Sequence, residues 1–238
     1  MSTPAAAAPV FSVVVFTAPP PGQLLEVSGP YTKVDGREAL LRSVELFLNR
    51  DNVAQVQLVI EQSQAEEAKR RFGGHLSFAG VKMITGGGRW LEQLNAALPT
   101  IAAECTHVIV HDAARPAVPF SDIDALMDAA REHKAVGLTA PVRATLVETD
   151  KDGCPQHYHL PDRFQQLLTP QAFARESFEA LAKSEKEVPA AEAFLLKGSP
   201  LNVRVGGAND AGLVGAMLKM LPKPKIKAAS SPFEEAQW

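Results

Sequence analysis

Asp112 and Arg115, three residues apart, close the stretch His-Val-Ile-Val-His-Asp-Ala-Ala-Arg-Pro over 107–116. Val108, Ile109 and Val110 are a β-branched run too short for a helix, the pattern of a strand buried on both faces. Pro116 stops regular structure just beyond it. A carboxylate and a guanidinium past the carboxyl end of a central strand lie where open α/β sheets take their ligands. Asp112 there can hold Mg²⁺, and Arg115 can pair with a phosphate or a polar substrate. The same two residues also admit a structural reading, in which Asp112 caps a turn and Arg115 pairs with it.

Gly86-Gly87-Gly88 is the second stretch with chemical capacity. It falls between a strand pattern and a helix pattern, where backbone N–H groups can face a phosphate or a base, although glycine triplets also serve as plain tight turns. Cys154, His157 and His159 are metal-ligand types, but they lack a fourth partner and read as solvated hairpin side chains. No Ser-His-Asp set or pair of catalytic carboxylates emerges.

The elements that position these residues follow from periodicity. Strands are expected at Phe11–Thr17, Gln55–Glu61, Val81–Thr85, Thr106–His111 and Ala135–Val142. Helices are expected over Arg37–Asn49, Gln64–Phe72, the segment carrying Leu91, Leu94 and Leu98, and Asp122–His133 with Ser121 as its N-cap. Repeated βα units predict a mostly parallel sheet covered on both faces. Ala144–Thr149 and Gln156–Leu160 flank the turn signal Asp150-Lys151-Asp152-Gly153 and predict a hairpin. That hairpin has nothing obvious to pack on within the domain and is suited to docking on a second subunit. Helical patterns over Gln171–Ser184 and Ala190–Leu196, a strand at Asn202–Val205 and a helix at Asp210–Leu221, with Met217 and Met220 as core, complete the reading.

The 238 residues, 46% hydrophobic and 21% charged, suit one α/β domain with a full core. A net charge of −3 gives no sign of a nucleic-acid or membrane surface, so any phosphate site must be local. Two cysteines, Cys105 and Cys154, make no disulfide framework and fit a reducing cytoplasm. Residues 1–9 and 222–238 read as disordered extensions of a 10–221 domain, with the arm at 143–163.

Taken together, the motifs resemble the 2-C-methyl-D-erythritol 4-phosphate cytidylyltransferase family. The matching stretches are Val108–Pro116, Ala140–Thr145 (Ala-Pro-Val-Arg-Ala-Thr), Leu168–Gln171 (Leu-Thr-Pro-Gln) and Asn202–Val205 (Asn-Val-Arg-Val), and the likeness runs from about residue 11 to about 221. The resemblance implies a Rossmann-like, doubly wound α/β fold with an inserted hairpin arm, and a homodimer in which each arm completes the other subunit's site. It implies attack by a polyol-phosphate oxygen on the α-phosphate of CTP, with Mg²⁺. On this resemblance Asp112 is the metal ligand and catalytic, and Arg204 fills the slot of a family lysine that helps bind the acceptor phosphate. Arg115, Thr145, Arg163, Thr169 and Arg204 are substrate-binding, and Ala18, Gly22, Gly86, Gly87 and Ala113 are nucleotide-binding.

The chain departs from the family on the nucleotide side. Where the family has Pro-Ala-Ala-Gly-x-Gly-x-Arg after the first strand, this chain reads Thr17-Ala18-Pro19-Pro20-Pro21-Gly22-Gln23-Leu24. Three successive prolines remove three N–H donors from a loop that cradles triphosphate. Leu24 replaces an arginine and Tyr31 a lysine, and Lys33, two residues on, faces elsewhere in an extended loop. In the glycine-loop region Trp90 replaces an arginine and Gln93 a serine. The acidic segment near Pro189–Glu192 is also reduced. These losses predict weak or absent CTP turnover, and the alternative is a non-catalytic dimer that binds a phosphorylated ligand or acts in regulation or scaffolding.

Overall fold

The computed structural model describes residues 8–21, 28–184 and 193–222. Gly22, most of the 1–9 extension and all but Pro222 of the tail lie outside them.

Among the described residues the order is β1 (Phe11–Phe16), β2 (Lys33–Val34), β3 (Arg37–Glu38), α1 (Ala39–Glu45), β4 (Val53–Glu61) and α2 (Ala65–Phe78). Next come β5 (Lys82–Gly86), α3 (Trp90–Ala97), β6 (His107–Asp112), α4 (Phe120–Ala129) and β7 (Ala135–Pro141). The chain continues through β8 (Leu146–Thr149), β9 (Pro155–His159), β10 (Gln165–Ala174), α5 (Arg175–Lys183), β11 (Phe194–Lys197) and α6 (Ala211–Met220). Seven strands form one sheet in the order β11-β7-β10-β6-β1-β4-β5. All neighbours pair parallel except β10, which runs antiparallel to both β6 and β7.

The period of two along β1 sorts the core into two layers. Phe11, Val13 and Val15 pack with Leu40 and Val44 of α1, Phe72 and Leu76 of α2, and Ile123 and Leu126 of α4. Val14 and Phe16 point the other way, onto Trp90 and Leu94 of α3 and Phe178 and Leu181 of α5. Helices therefore cover both faces, as the βα repetition predicts.

Several expectations are corrected. The helix placed at Arg37–Asn49 begins only at Ala39, because Asp35 and Gly36, both at positive φ (49° and 78°), make a two-residue turn between β2 and β3. Asp-Gly is the usual signal for such a turn. Gln171–Ala174 is strand rather than helix: paired on both sides, with β6 and β7, it gains a double ladder that outweighs its weak local preference. The helix then starts at Arg175. Phe194–Lys197 is an edge strand beside β7 rather than helix.

Asn202–Val205 forms no strand and instead leans on the loop after β6, with the Val205 N–H donating to the Ala114 carbonyl at 2.8 Å. Pro119, not Ser121, occupies the N-cap of α4. Met217 packs inward, but Met220 is 70% exposed and not core. The β8–β9 hairpin forms as expected, its turn closed by Asp150 Oδ1, which accepts from the N–H groups of Asp152 and Cys154 at 2.9 Å each.

Candidate active site

β1 and β6 are parallel neighbours in register, Phe16 opposite Asp112, so the loops that follow both strands open at the same edge of the sheet. The central β6 is buried from Val108 onward, which drives the carboxylate of Asp112 out of water with it. An ionised carboxylate there needs partners. Asp112 Oδ1 accepts from the Ala114 N–H at 2.8 Å and Oδ2 accepts from Arg204 Nε at 2.8 Å. Arg115 Nε stands 3.9 Å from the same Oδ2.

One hydrogen-bonded network then gathers the residues from three stretches of chain. Arg115 Nη1 donates to the Asn202 carbonyl at 2.8 Å, and Asn202 Nδ2 donates to the Thr169 carbonyl at 2.7 Å. The Asp112 N–H donates to Thr169 Oγ1 at 3.1 Å. A register shift between Leu168 and Gln171 in β10 turns Thr169 toward β6. Burial pulls the Arg115 guanidinium below its ordinary value, with Asp112 opposing the shift and Arg204 adding to it. Behind the network, His111 is fully buried and its Nε2–H donates to the Arg115 carbonyl (3.1 Å), and burial lowers its pKa to about 3.

A cleft of about 330 Å³ opens beside this network, lined among others by Arg115, Arg143, Arg204, Gln166, Ser199 and Asn202. Among the described residues its lining holds three guanidiniums and no carboxylate, a composition suited to a phosphate. Arg143 and Asn202 were not singled out from the sequence as site residues, although both stand in the stretches that carry the family likeness. Thr145 and Arg163 are exposed on the arm and do not line the cleft of their own chain. Ala113 is buried with both backbone groups engaged: its N–H donates to the Phe16 carbonyl and its carbonyl accepts from Ser43 Oγ, each at 2.9 Å.

The side that the resemblance assigns to the nucleotide has a different character. A second cleft, about 290 Å³, is lined by Thr17, Ala18, Tyr31, Glu61, Glu67 and Arg71 among others. Among the described residues its one guanidinium, Arg71, is already bonded to Glu38 (3.0 Å) and Glu67 (3.2 Å). Burial pushes the Tyr31 phenol up to about 12, so the residue in the lysine slot is neutral. The glycine loop is closed by its own neighbours. A Cβ on Gly87 would stand 2.1 Å from Glu92 Oε2, which accepts from the Arg89 N–H (3.1 Å) and caps α3. The Arg89 side chain lowers the Glu92 carboxyl below its usual range. Gly86 backs onto Gln93, whose buried carboxamide bonds to Thr17, Ala18 and Gly87.

The donor set does not fit a resident Mg²⁺. Both Asp112 oxygens are engaged, two guanidiniums flank it, and among the described residues no group of three or more His, Cys, Asp or Glu side chains is placed to hold an ion. Mg²⁺ takes oxygen ligands at octahedral positions and is repelled by neighbouring cations.

Among known proteins, the chain is 27% identical over 199 residues to the 2-C-methyl-D-erythritol 4-phosphate cytidylyltransferase of Vibrio parahaemolyticus, covering 77% of this chain and 84% of that one. It is 31% identical over 189 residues to the Vibrio atlanticus protein of the same name, covering 76% and 78%. Among solved structures, the 4-diphosphocytidyl-2C-methyl-D-erythritol synthase of Anaerococcus prevotii superposes with a TM-score of 0.70 at 19% identity, over 89% of this chain and 96% of that one. The family profile for 2-C-methyl-D-erythritol 4-phosphate cytidylyltransferase (IspD) matches residues 13–219. The profile match along nearly the whole domain, with the 31% identity to the Vibrio atlanticus protein, places the chain in the 2-C-methyl-D-erythritol 4-phosphate cytidylyltransferase family.

Proposed function

We propose that this chain binds a phosphorylated polyol in the arginine-lined cleft and transfers CMP to it from CTP only weakly. The observation that carries this reading is the distribution of charge. Arg115, Arg143 and Arg204 gather at the acceptor cleft, whereas the nucleotide cleft holds Glu61, Glu67, a neutral Tyr31 and an Arg71 already paired. In the reaction, an acceptor oxygen attacks the α-phosphorus in line and pyrophosphate leaves. Such a reaction asks the protein for position and for positive charge around the phosphorus.

The acceptor half meets that demand. Arg204 and Arg143 hold the phosphate, and Arg115, fixed by Asn202 and Asp112, aligns the polyol next to Thr169. The donor half does not. Pro19, Pro20 and Pro21 have no N–H to offer, and Leu24 and Tyr31 bring no charge. Each missing preorganised donor costs about 10²–10³ in rate, so the combined loss is roughly 10⁴ or more.

The same reading includes a homodimer. Tyr158 and Leu160 on the arm are 73% and 72% exposed, and the arm's Thr145 and Arg163 lie apart from their own cleft. Docking on a second copy would cover the first pair and bring the second pair to the partner's site. A cytoplasmic location, in which Cys105 and Cys154 stay free thiols, belongs to the same proposal.

Calorimetric titration with 2-C-methyl-D-erythritol 4-phosphate and with CTP, alongside pyrophosphate release with both substrates and Mg²⁺, tests it. The polyol phosphate is expected to bind, CTP to bind poorly and turnover to be slow. Failure of the polyol phosphate to bind, or rapid turnover, refutes the proposal.

A further inference from the structure

Gln93 is fully buried, and its carboxamide makes four hydrogen bonds, all to the two loops that bound the nucleotide side. Oε1 accepts from the backbone N–H of Thr17 at 2.9 Å and of Ala18 at 3.1 Å. Nε2 donates to Thr17 Oγ1 at 3.2 Å and to the Gly87 carbonyl at 3.1 Å. The orientation is fixed by the partners, because a flipped amide would set its NH₂ against two N–H donors.

We propose that Gln93 is a built-in plug: its carboxamide occupies the groups that would read a pyrimidine base, and so governs how well this chain binds a nucleotide. The inference rests on the proposed function only in placing a nucleotide on this side of the sheet. A planar group with an acceptor beside a donor is what a primary amide presents, and cytosine presents the same pair at N3 and N4. Two N–H groups and one carbonyl converge on that pair here. Uracil also presents an acceptor beside a donor, at O4 and N3–H, so the freed groups suit either pyrimidine.

The packing shows that the amide is built in rather than draped over the loops. A Cβ on Gly86 would stand 3.2 Å from both Cα and Cγ of Gln93, so glycine permits the close approach. The serine that the family carries at this position is too short to reach Thr17, Ala18 and Gly87 together. The plug also holds an energetic advantage over any free base. It is carried on α3 and loses no translational freedom on engaging its partners, whereas an incoming base does. Each hydrogen bond the base gains is one that Gln93 must give up inside a buried site, so the exchange yields almost nothing.

The test is calorimetric titration of CTP, UTP and inorganic tripolyphosphate into the full-length wild type, Gln93→Ser and Gln93→Ala. Both substitutions are expected to tighten CTP binding about 10- to 100-fold, on the basis of roughly two net hydrogen bonds recovered. UTP is expected to gain alongside CTP, since uracil presents the same kind of pair, whereas tripolyphosphate, which has no base, is expected to gain less than about threefold. Unchanged CTP affinity in a folded variant overturns the proposal, and so does a gain for tripolyphosphate equal to that for CTP. Should both variants fail to fold, NMR of the wild type decides. The Gln93 side-chain NH₂ and the Thr17 and Ala18 amide signals are then expected to hold their positions as CTP is added. A saturable shift of those signals overturns the plug. A parallel titration of wild type with 2-C-methyl-D-erythritol 4-phosphate reads the acceptor cleft alone, so failure of the proposed function shows there and not in the CTP arms.

Discussion

Removing the charge of Asp112 is expected to cost more stability than removing the arginine bonded to it. Asp112 is the only carboxylate among the groups of this network. Arg204 bonds it at 2.8 Å and Arg115 lies 3.9 Å away, and both guanidiniums are close to fully buried, with side chains 11% and 8% exposed. Asp112→Asn keeps the shape but leaves two buried cations facing each other without a counter-charge, a loss of about 3–5 kcal/mol. Arg204→Met leaves Asp112 with Arg115 and the Ala114 N–H, so the cost is that of one charged hydrogen bond, about 1.5–3 kcal/mol.

For a domain of this size each kcal/mol moves Tm by about 2–4 °C, which places Asp112→Asn roughly 6–20 °C below wild type and Arg204→Met roughly 3–12 °C below. Thermal unfolding followed by far-ultraviolet circular dichroism at neutral pH reads the order directly. Polyol-phosphate titration of Arg204→Met should show about a 10- to 100-fold loss of affinity. The argument fails if Arg204→Met is the more costly of the two, or if Asp112→Asn unfolds within 2 °C (about the effect of 1 kcal/mol) of wild type.

Other perturbations follow from the same geometry. His111 stays neutral in the folded chain down to about 3 but titrates near its ordinary value when unfolded. Below that ordinary value the unfolded state therefore binds the extra proton, and stability falls by about 1.4 kcal/mol for each pH unit from this group alone. Urea unfolding at several values between pH 4 and 7 (about the window in which this imidazole differs between states) should show that slope, and His111→Gln should flatten it. A Cβ at Gly29 would stand 2.0 Å from the Val205 carbonyl oxygen, backbone against backbone. Gly29→Ala should cost about 1–3 kcal/mol in urea unfolding and weaken polyol-phosphate binding by shifting Arg204. Replacing Tyr158 and Leu160 together by serine should convert a dimer to monomer in light scattering while leaving the far-ultraviolet circular dichroism spectrum unchanged, since both are exposed in the single chain.

Much of the fold is legible in the residues because each signal is local. Val108–Val110 had to be a buried strand, and the leucine spacing of α1 and α3 had to face a sheet. β10 was not legible, since Gln-Ala-Phe-Ala carries no firm local preference and its strand state is imposed by neighbours distant in the sequence. The Asp35-Gly36 turn was legible but was masked by the apolar helical pattern that follows it. At the site, Asp112, Arg115, Thr169 and Arg204 do come together. The role of Asn202 depends on a non-local contact, its carbonyl meeting Arg115, and the extra guanidinium of Arg143 depends on where β7 ends. Gln93 was visible only as a departure from the family, and what its amide does is apparent only once Thr17 and Gly87 stand around it.

β10 carries a geometric consequence. It follows the arm after a single short turn at Pro161–Arg163, and it is wedged mid-sheet between β6 and β7 while presenting Thr169 to the network. Arm and arginine-lined cleft thus share one short length of backbone, with no long loop between them. From the hairpin tip the chain reaches Thr169, and through the hydrogen bonds of Asn202 reaches Arg115, by strand and one short turn alone.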